Sequence, residues 1–224
     1  MIKILQKASV ALAGLSLFAT VALKATPVTV EEAGIGANQI VNITSSTLGT
    51  AWVYAGVLDL VVDGTPTAGF CIDPWHWSAD GPQAYDSEPL SDAPKSATGS
   101  TPNPMGATTA TEIGQLWKNY LTPSISNDTA AALQIEIWDL VAAAVAPNGT
   151  FTLNYAPSSV LSTLSTMQAW LANNPDAPTA NMLALTGPGQ DYAIDPVPDG
   201  GSTVALLGLG LIGLIAFRKK FQTT

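Results

Sequence analysis

An α+β fold is predicted for the body of this chain: an antiparallel sheet or β-sandwich with about three helices packed against it or inserted. Three observations carry that prediction. A strand-like run from Ala51 to Val62 turns at Asp63-Gly64-Thr65-Pro66 and returns from Ala68 to Asp73. Three later stretches repeat apolar residues at helical spacing between Pro- and Gly-rich breaks. Short alternating runs lie between and after those helices and read as further strands.

Residues 26–37 read as a mobile start, and Gln39 to Thr44 as a short strand. In the run 51–62, Trp52, Tyr54, Leu58, Leu60 and Val62 share one parity, with Val53, Val57 and Val61 on the other. A strand apolar on both faces is expected at the centre of a sheet. Pro74 to Pro104 is rich in Pro, Ser, Asp, Gly and Thr and reads as a long surface loop. Thr109 to Glu112 has the spacing of a capping box, followed by a stripe of Ile113, Leu116, Trp117, Tyr120 and Leu121 that Pro123 ends. A second helix runs from Asn127 or Asp128 to Val145, with Leu133, Ile137, Leu140 and Ala144 as its stripe and Pro147-Asn148-Gly149 as its stop. Gly149 to Tyr155 alternates as a strand. Ser158 or Ser159 caps a third helix to Asn173, and Ala180 to Thr186 and Gln190 to Ile194 close the body as strands.

Charge separates the body from its ends. All seventeen acidic residues lie between Glu31 and Asp199, where Lys95 and Lys118 are the basic ones. Such a body repels phosphate backbones, so nucleic acid is excluded as a partner. At the start, Lys3 and Lys7 precede an apolar run from Ala8 to Leu23 and then small residues. That is the pattern of a secretory signal peptide over residues 1–25, with cleavage after Ala22 or Ala25. At the other end, Val197-Pro198-Asp199-Gly200-Gly201 forms a stiff-then-loose joint. The uncharged stretch from Ser202 to Phe217 follows, sixteen residues that span roughly 24 Å as a helix, against a hydrocarbon core of about 30 Å. Arg218, Lys219 and Lys220 then act as a membrane stop that keeps the basic end in the cytoplasm. Residues 26–196 are left as one extracellular domain and 197–224 as a C-terminal segment.

This C-terminal segment resembles the PEP-CTERM class of sorting signals, in the variant whose motif is Val-Pro-Asp-Ser-Gly; Gly200 stands where that variant has serine. The resemblance implies an exosortase-type processing enzyme as partner, transient anchoring in the inner membrane, and delivery to the cell surface or extracellular matrix. The competing reading is an ordinary single-span anchor that is never cut.

Two residues in the body call for explanation. Cys71 is the single cysteine, so no intramolecular disulfide protects it outside the cell. Gln134 falls at the edge of an apolar stripe, where an amide without a partner costs on the order of 1–3 kcal/mol. The words Phe70-Cys71-Ile72-Asp73 and Leu133-Gln134-Ile135-Glu136-Ile137-Trp138 resemble those of bacterial thioester domains, modules of surface adhesins. Leu133 and Glu136 depart from that pattern, which has threonine and alanine there. The similarity covers about residues 50–145. It implies a bond between the Cys71 sulfur and the Gln134 side-chain carbonyl, formed with loss of ammonia, supported by Asp73 and Trp138, and later opened by a surface amine. The plain alternative is a buried, inert cysteine with Gln134 hydrogen-bonded to backbone.

Two other chemistries involve neighbouring residues. A thiol hydrolase would use Cys71, His76 and an acid such as Asp73, Asp80 or Asp139. Asp73, Asp80, Asp86, Glu88 and Asp92 form an acidic loop whose spacing is not that of an EF-hand. No metal or other cofactor is expected, and the chain reads as a non-enzyme. Its expected role is that of an exported adhesive module acting on amines, the alternative being a noncovalent matrix protein that binds polysaccharide on a platform of Trp75, Trp77 and Tyr85.

Overall fold

The computed structural model describes residues 25–95, 104–145 and 150–196. Seven antiparallel strands and three helices are found among them: β1 (Thr26–Ser45), β2 (Gly49–Val62), β3 (Thr65–Cys71), β4 (Gln83–Pro89), α1 (Gly106–Tyr120), α2 (Asn127–Val145), β5 (Phe151–Tyr155), α3 (Ser158–Asn173), β6 (Leu183–Thr186) and β7 (Tyr192–Ile194). The expected class holds, with one addition. The sheet order β2-β3-β7-β6-β4-β1-β5 is joined by a further β1–β2 pairing, so six strands close on themselves as a barrel. The length of β1 makes this possible. One of its edges pairs with β2 from Val30 to Ser45; the other pairs with β4 over Thr26–Val30 and with β5 over Asn42–Ser45.

Residues 26–37 are therefore not a mobile start. Val28 and Val30 enter the barrel wall, and Gly34 and Gly36 lie at register shifts between Glu32 and Gly34 and between Ile35 and Asn38, where β1 bends. The β2–β3 hairpin is as expected. Asp63 (φ 48°) and Gly64 (φ 79°) form its two-residue turn, both with the positive φ that such turns require.

The stretch 74–104 also departs from the loop reading. It contains β4 and a 3-10 turn, Leu90–Asp92, and Trp75, Tyr85, Glu88 and Leu90 are buried. Its polar composition hid a strand because ladder bonds to β1 and β6, not its own apolar content, hold it in place. Tyr85 on β4 meets the ring of Tyr192 on β7, with β6 between the two strands (5.7 Å between centroids), and the Tyr192 hydroxyl donates to Glu32 at 3.4 Å.

The helices pack outside this wall. Phe70 points out of the barrel onto Trp117 of α1, edge to face at 5.3 Å. Every residue of α2 from Ala130 to Trp138 is buried, because β1 and β2 cover one side and α1 and α3 the other. The expected stripe fails at its end: Leu140 is half-buried and Ala144 exposed. The caps differ as well. α1 starts three residues before Thr109, with Met105 buried and its N–H donating to the Ala93 carbonyl, so no capping box forms. Ser126 caps α2 by accepting the Thr129 N–H at 3.1 Å, one residue before the expected caps. α3 begins after Pro157 without a side-chain cap. The expected signal peptide, the Pro147-Asn148-Gly149 stop and residues 197–224 lie outside the described residues.

Candidate functional site

Cys71 sits where two neighbouring strands part. The β2–β3 ladder stops at Leu58↔Gly69, whereas on the other side β3 keeps its partner through Cys71↔Tyr192 and the Ile72 N–H donates to the Asp191 carbonyl at 2.9 Å. In an antiparallel strand alternate residues direct their N–H and C=O to opposite neighbours. Those of Cys71 thus face the side that β2 has left. Gln134 of α2 fills the gap: its Oε1 accepts the Cys71 N–H at 2.9 Å, and its Nε2 donates to the Cys71 carbonyl at 2.7 Å. A side-chain amide takes the place of a missing strand. Cys71 is 3% exposed and Gln134 1%. The structure brings together the two residues, 63 positions apart, that the thioester-domain resemblance paired.

The surroundings of the sulfur are equally specific. The Asp73 N–H donates to Sγ at 3.3 Å. The Trp138 indole lies against the sulfur, yet its buried Nε1 closes no hydrogen bond among the described residues. Burial pushes the Cys71 thiol well above its ordinary range, and the nearby Asp73 carboxylate raises it further. Asp73 is itself fully buried. It accepts the Trp75 N–H at 3.2 Å and holds the His76 Nδ1 at 2.9 Å, and this bond raises the imidazole pKa. Asp73 and Trp138 therefore both stand beside Cys71.

The hydrolase arrangement is not assembled. His76 hydrogen-bonds Asp73, while the group that reaches the sulfur is the Asp73 backbone N–H. Asp139 is exposed on α2. The five loop acids are also dispersed: Asp73 pairs with His76, and Glu88 accepts from Thr186 at 2.8 Å and pairs with Lys95. Among the described residues no three His, Cys, Asp or Glu side chains are grouped to hold a metal ion. Glu136, which departs from the thioester-domain pattern, is buried against α3 and accepts from Gln168 at 2.8 Å; burial raises its pKa.

A cavity of about 270 Å³ opens onto the pair. Cys71, Gln134 and Trp138 contribute to its lining, with His76, Trp77, Trp52 and Tyr54 beside them. The platform expected from Trp75, Trp77 and Tyr85 does not exist, since Trp75 and Tyr85 are buried and only Trp77, 57% exposed, faces solvent. Trp52 and Tyr54, expected on a central strand, are exposed. The polar residues Asn42, Thr44 and Thr50, which share their face by register, were the signal that this half of the sheet is wet. Asp191 was missed as well. It is buried and ties two loops together, accepting the Lys95 N–H at 2.8 Å and the Gly187 N–H at 3.0 Å. A larger cavity of about 790 Å³ lies by Trp117, Lys118 and Asp195, away from the cysteine.

Comparison with known proteins finds a VPDSG-CTERM motif at residues 196–221. No curated protein and no solved structure matches the chain. The motif covers Val197, Pro198, Asp199, Gly200 and Gly201, the apolar run, and Arg218, Lys219 and Lys220. It indicates an exported protein processed by an exosortase. The resemblance of the body to thioester adhesins finds no support in these comparisons. Among the described residues no helix is long and apolar enough to cross a membrane, and the stretch 202–217 lies outside them.

Proposed function

We propose that this exported chain is a surface or extracellular-matrix module whose body closes an internal thioester between Cys71 and Gln134. The observation that supports this reading is the clasp itself: the Gln134 carbonyl is held at the backbone of the residue whose sulfur would attack it. The Cys71 N–H on Oε1 polarises that carbonyl and would stabilise the oxyanion formed on attack. Fixing both groups in one buried site makes the step effectively unimolecular. The Sγ–Cδ bond forms, the Cδ–Nε2 bond breaks, and the thiol proton leaves with the amide nitrogen as ammonia. Burial then keeps water from the product. A primary amine entering by the cavity would attack Cδ, restoring the Cys71 thiol with one of its own protons and leaving an amide on the Gln134 side chain. This is one acylation per molecule, not turnover. Transient anchoring by residues 202–217 before processing belongs to the same proposal.

A second reading rests on the same two bonds, at 2.9 and 2.7 Å: Gln134 as a permanent brace and Cys71 as an inert core thiol. Methylamine separates them. The thioester takes it up at Gln134 and releases one Cys71 thiol per methylamine bound. A Gln134 peptide of unchanged mass after treatment of the folded protein contradicts the proposal.

A further inference from the structure

Seven large apolar side chains are exposed among the described residues, and six of them gather in one region. Ile40 stands opposite Tyr54, and Asn42 stands opposite both Trp52 and Tyr155, so these five share one face of the ribbon made by β1, β2 and β5. The Trp52 and Tyr155 rings meet edge to face at 5.6 Å. Ile35 and Trp77 continue the patch into the mouth of the cavity that Trp52 and Tyr54 also line. Leaving such side chains in water forgoes the gain of burying them, and contiguous apolar surface of this kind marks interaction sites.

The polar residues between the rings decide what the face fits. They are all amides and hydroxyls, already ordered among themselves. Asn154 donates to Asn42 at 2.9 Å and to Thr44 at 2.8 Å, and the Thr44 and Thr50 hydroxyls lie 2.8 Å apart. Segments 38–44, 49–54 and 151–155 contain no charged residue, in a body with sixteen acids. Single-stranded nucleic acid and anionic membranes both require Lys or Arg beside the aromatic rings. A neutral sugar chain requires what is present: flat rings for the C–H faces of its pyranoses, and fixed uncharged groups for its hydroxyls. Trp52 and Tyr54 project on the same side of β2 about 7 Å apart, an extended track suited to an extended chain.

We propose that this ribbon face binds a neutral polysaccharide, laid across Trp52, Tyr54 and Tyr155 and running towards the cavity over Cys71. The binding is noncovalent and does not depend on the thioester. The test is affinity electrophoresis of the exported body through gels containing laminarin, hydroxyethyl cellulose or dextran, with tryptophan fluorescence titration by cellohexaose. At least one probe is expected to retard the protein. Trp52→Ala and Tyr155→Ala should each weaken binding about tenfold while retaining the wild-type melting temperature, and Leu161→Ala, the exposed apolar residue on α3, should not. Methylamine-treated protein should bind as well as untreated protein. Absence of retardation by every probe overturns the proposal, as does retardation that survives the Trp52→Ala/Tyr155→Ala double variant. A dimer in sedimentation that Trp52→Ala dissolves also overturns it, because a second copy would then cover the face.

Discussion

Gln134 shows how much a single amide can hold. Its two bonds to Cys71 are buried, and α2 supplies them at the point where β2 no longer can. Gln134→Ala leaves the Cys71 N–H and carbonyl buried without partners. Each orphan costs about 1–3 kcal/mol, so a loss of about 2–4 kcal/mol in urea-monitored stability is expected. A loss below 1 kcal/mol would mean that water or a shifted backbone replaces the amide. Each residue was anomalous in its own segment, a lone cysteine on a strand and a polar residue on an apolar helix edge, but pairing them rested on the resemblance of the surrounding words to thioester domains. The form of their contact was not legible. It depends on β2 and β3 separating at Leu58↔Gly69, which no local pattern in either strand announces.

At the scale of elements, β2 is the part whose sequence misled most. Its apolar residues of one parity suggested continuous core. In the fold, Leu58, Leu60 and Val62 are buried on the inner face of the barrel, whereas Trp52 and Tyr54 on the same face are 62% and 55% exposed. Parity assigns residues to a face, but it does not tell where along the strand that face stops being covered. Gly56 marks the transition. A Cβ there would lie 2.2 Å from the Ala37 carbonyl oxygen and 2.7 Å from the Asn38 Cα, so backbone would have to move. Gly56→Ala is expected to cost more than about 2 kcal/mol and to loosen the register of β1 on β2, seen as faster amide exchange from Asn38 to Asn42. Wild-type exchange in the variant would show that the bend tolerates a side chain. β4 escaped notice for a related reason, since its neighbours supply most of what holds it. The helices were easier, because their spacing is intrinsic to the chain; only their caps were displaced by contacts such as the Met105 N–H on Ala93.

For the whole molecule, the sorting motif gives the chemistry of the site its setting. A single thiol exported from the cell meets oxidants, and burial on a barrel wall behind Trp138 is one protection for it. A thioester would be a second, and would keep an acyl group ready for reaction outside the cell. The acidic body and the uncharged aromatic face fit the same setting, soluble outside the cell and suited to neutral polymer rather than to phosphate. The C-terminal segment was the most legible part of the chain because its motif is local and needs no tertiary context. The most direct measurement is the intact mass of the unreduced protein recovered from outside the cell, before and after treatment with an alkylating agent under denaturing conditions. The account predicts a chain lacking both end segments, lighter by one ammonia than its sequence, and unmodified by the alkylating agent. A mass that retains the ammonia, with one full equivalent of alkylation at Cys71, would contradict it.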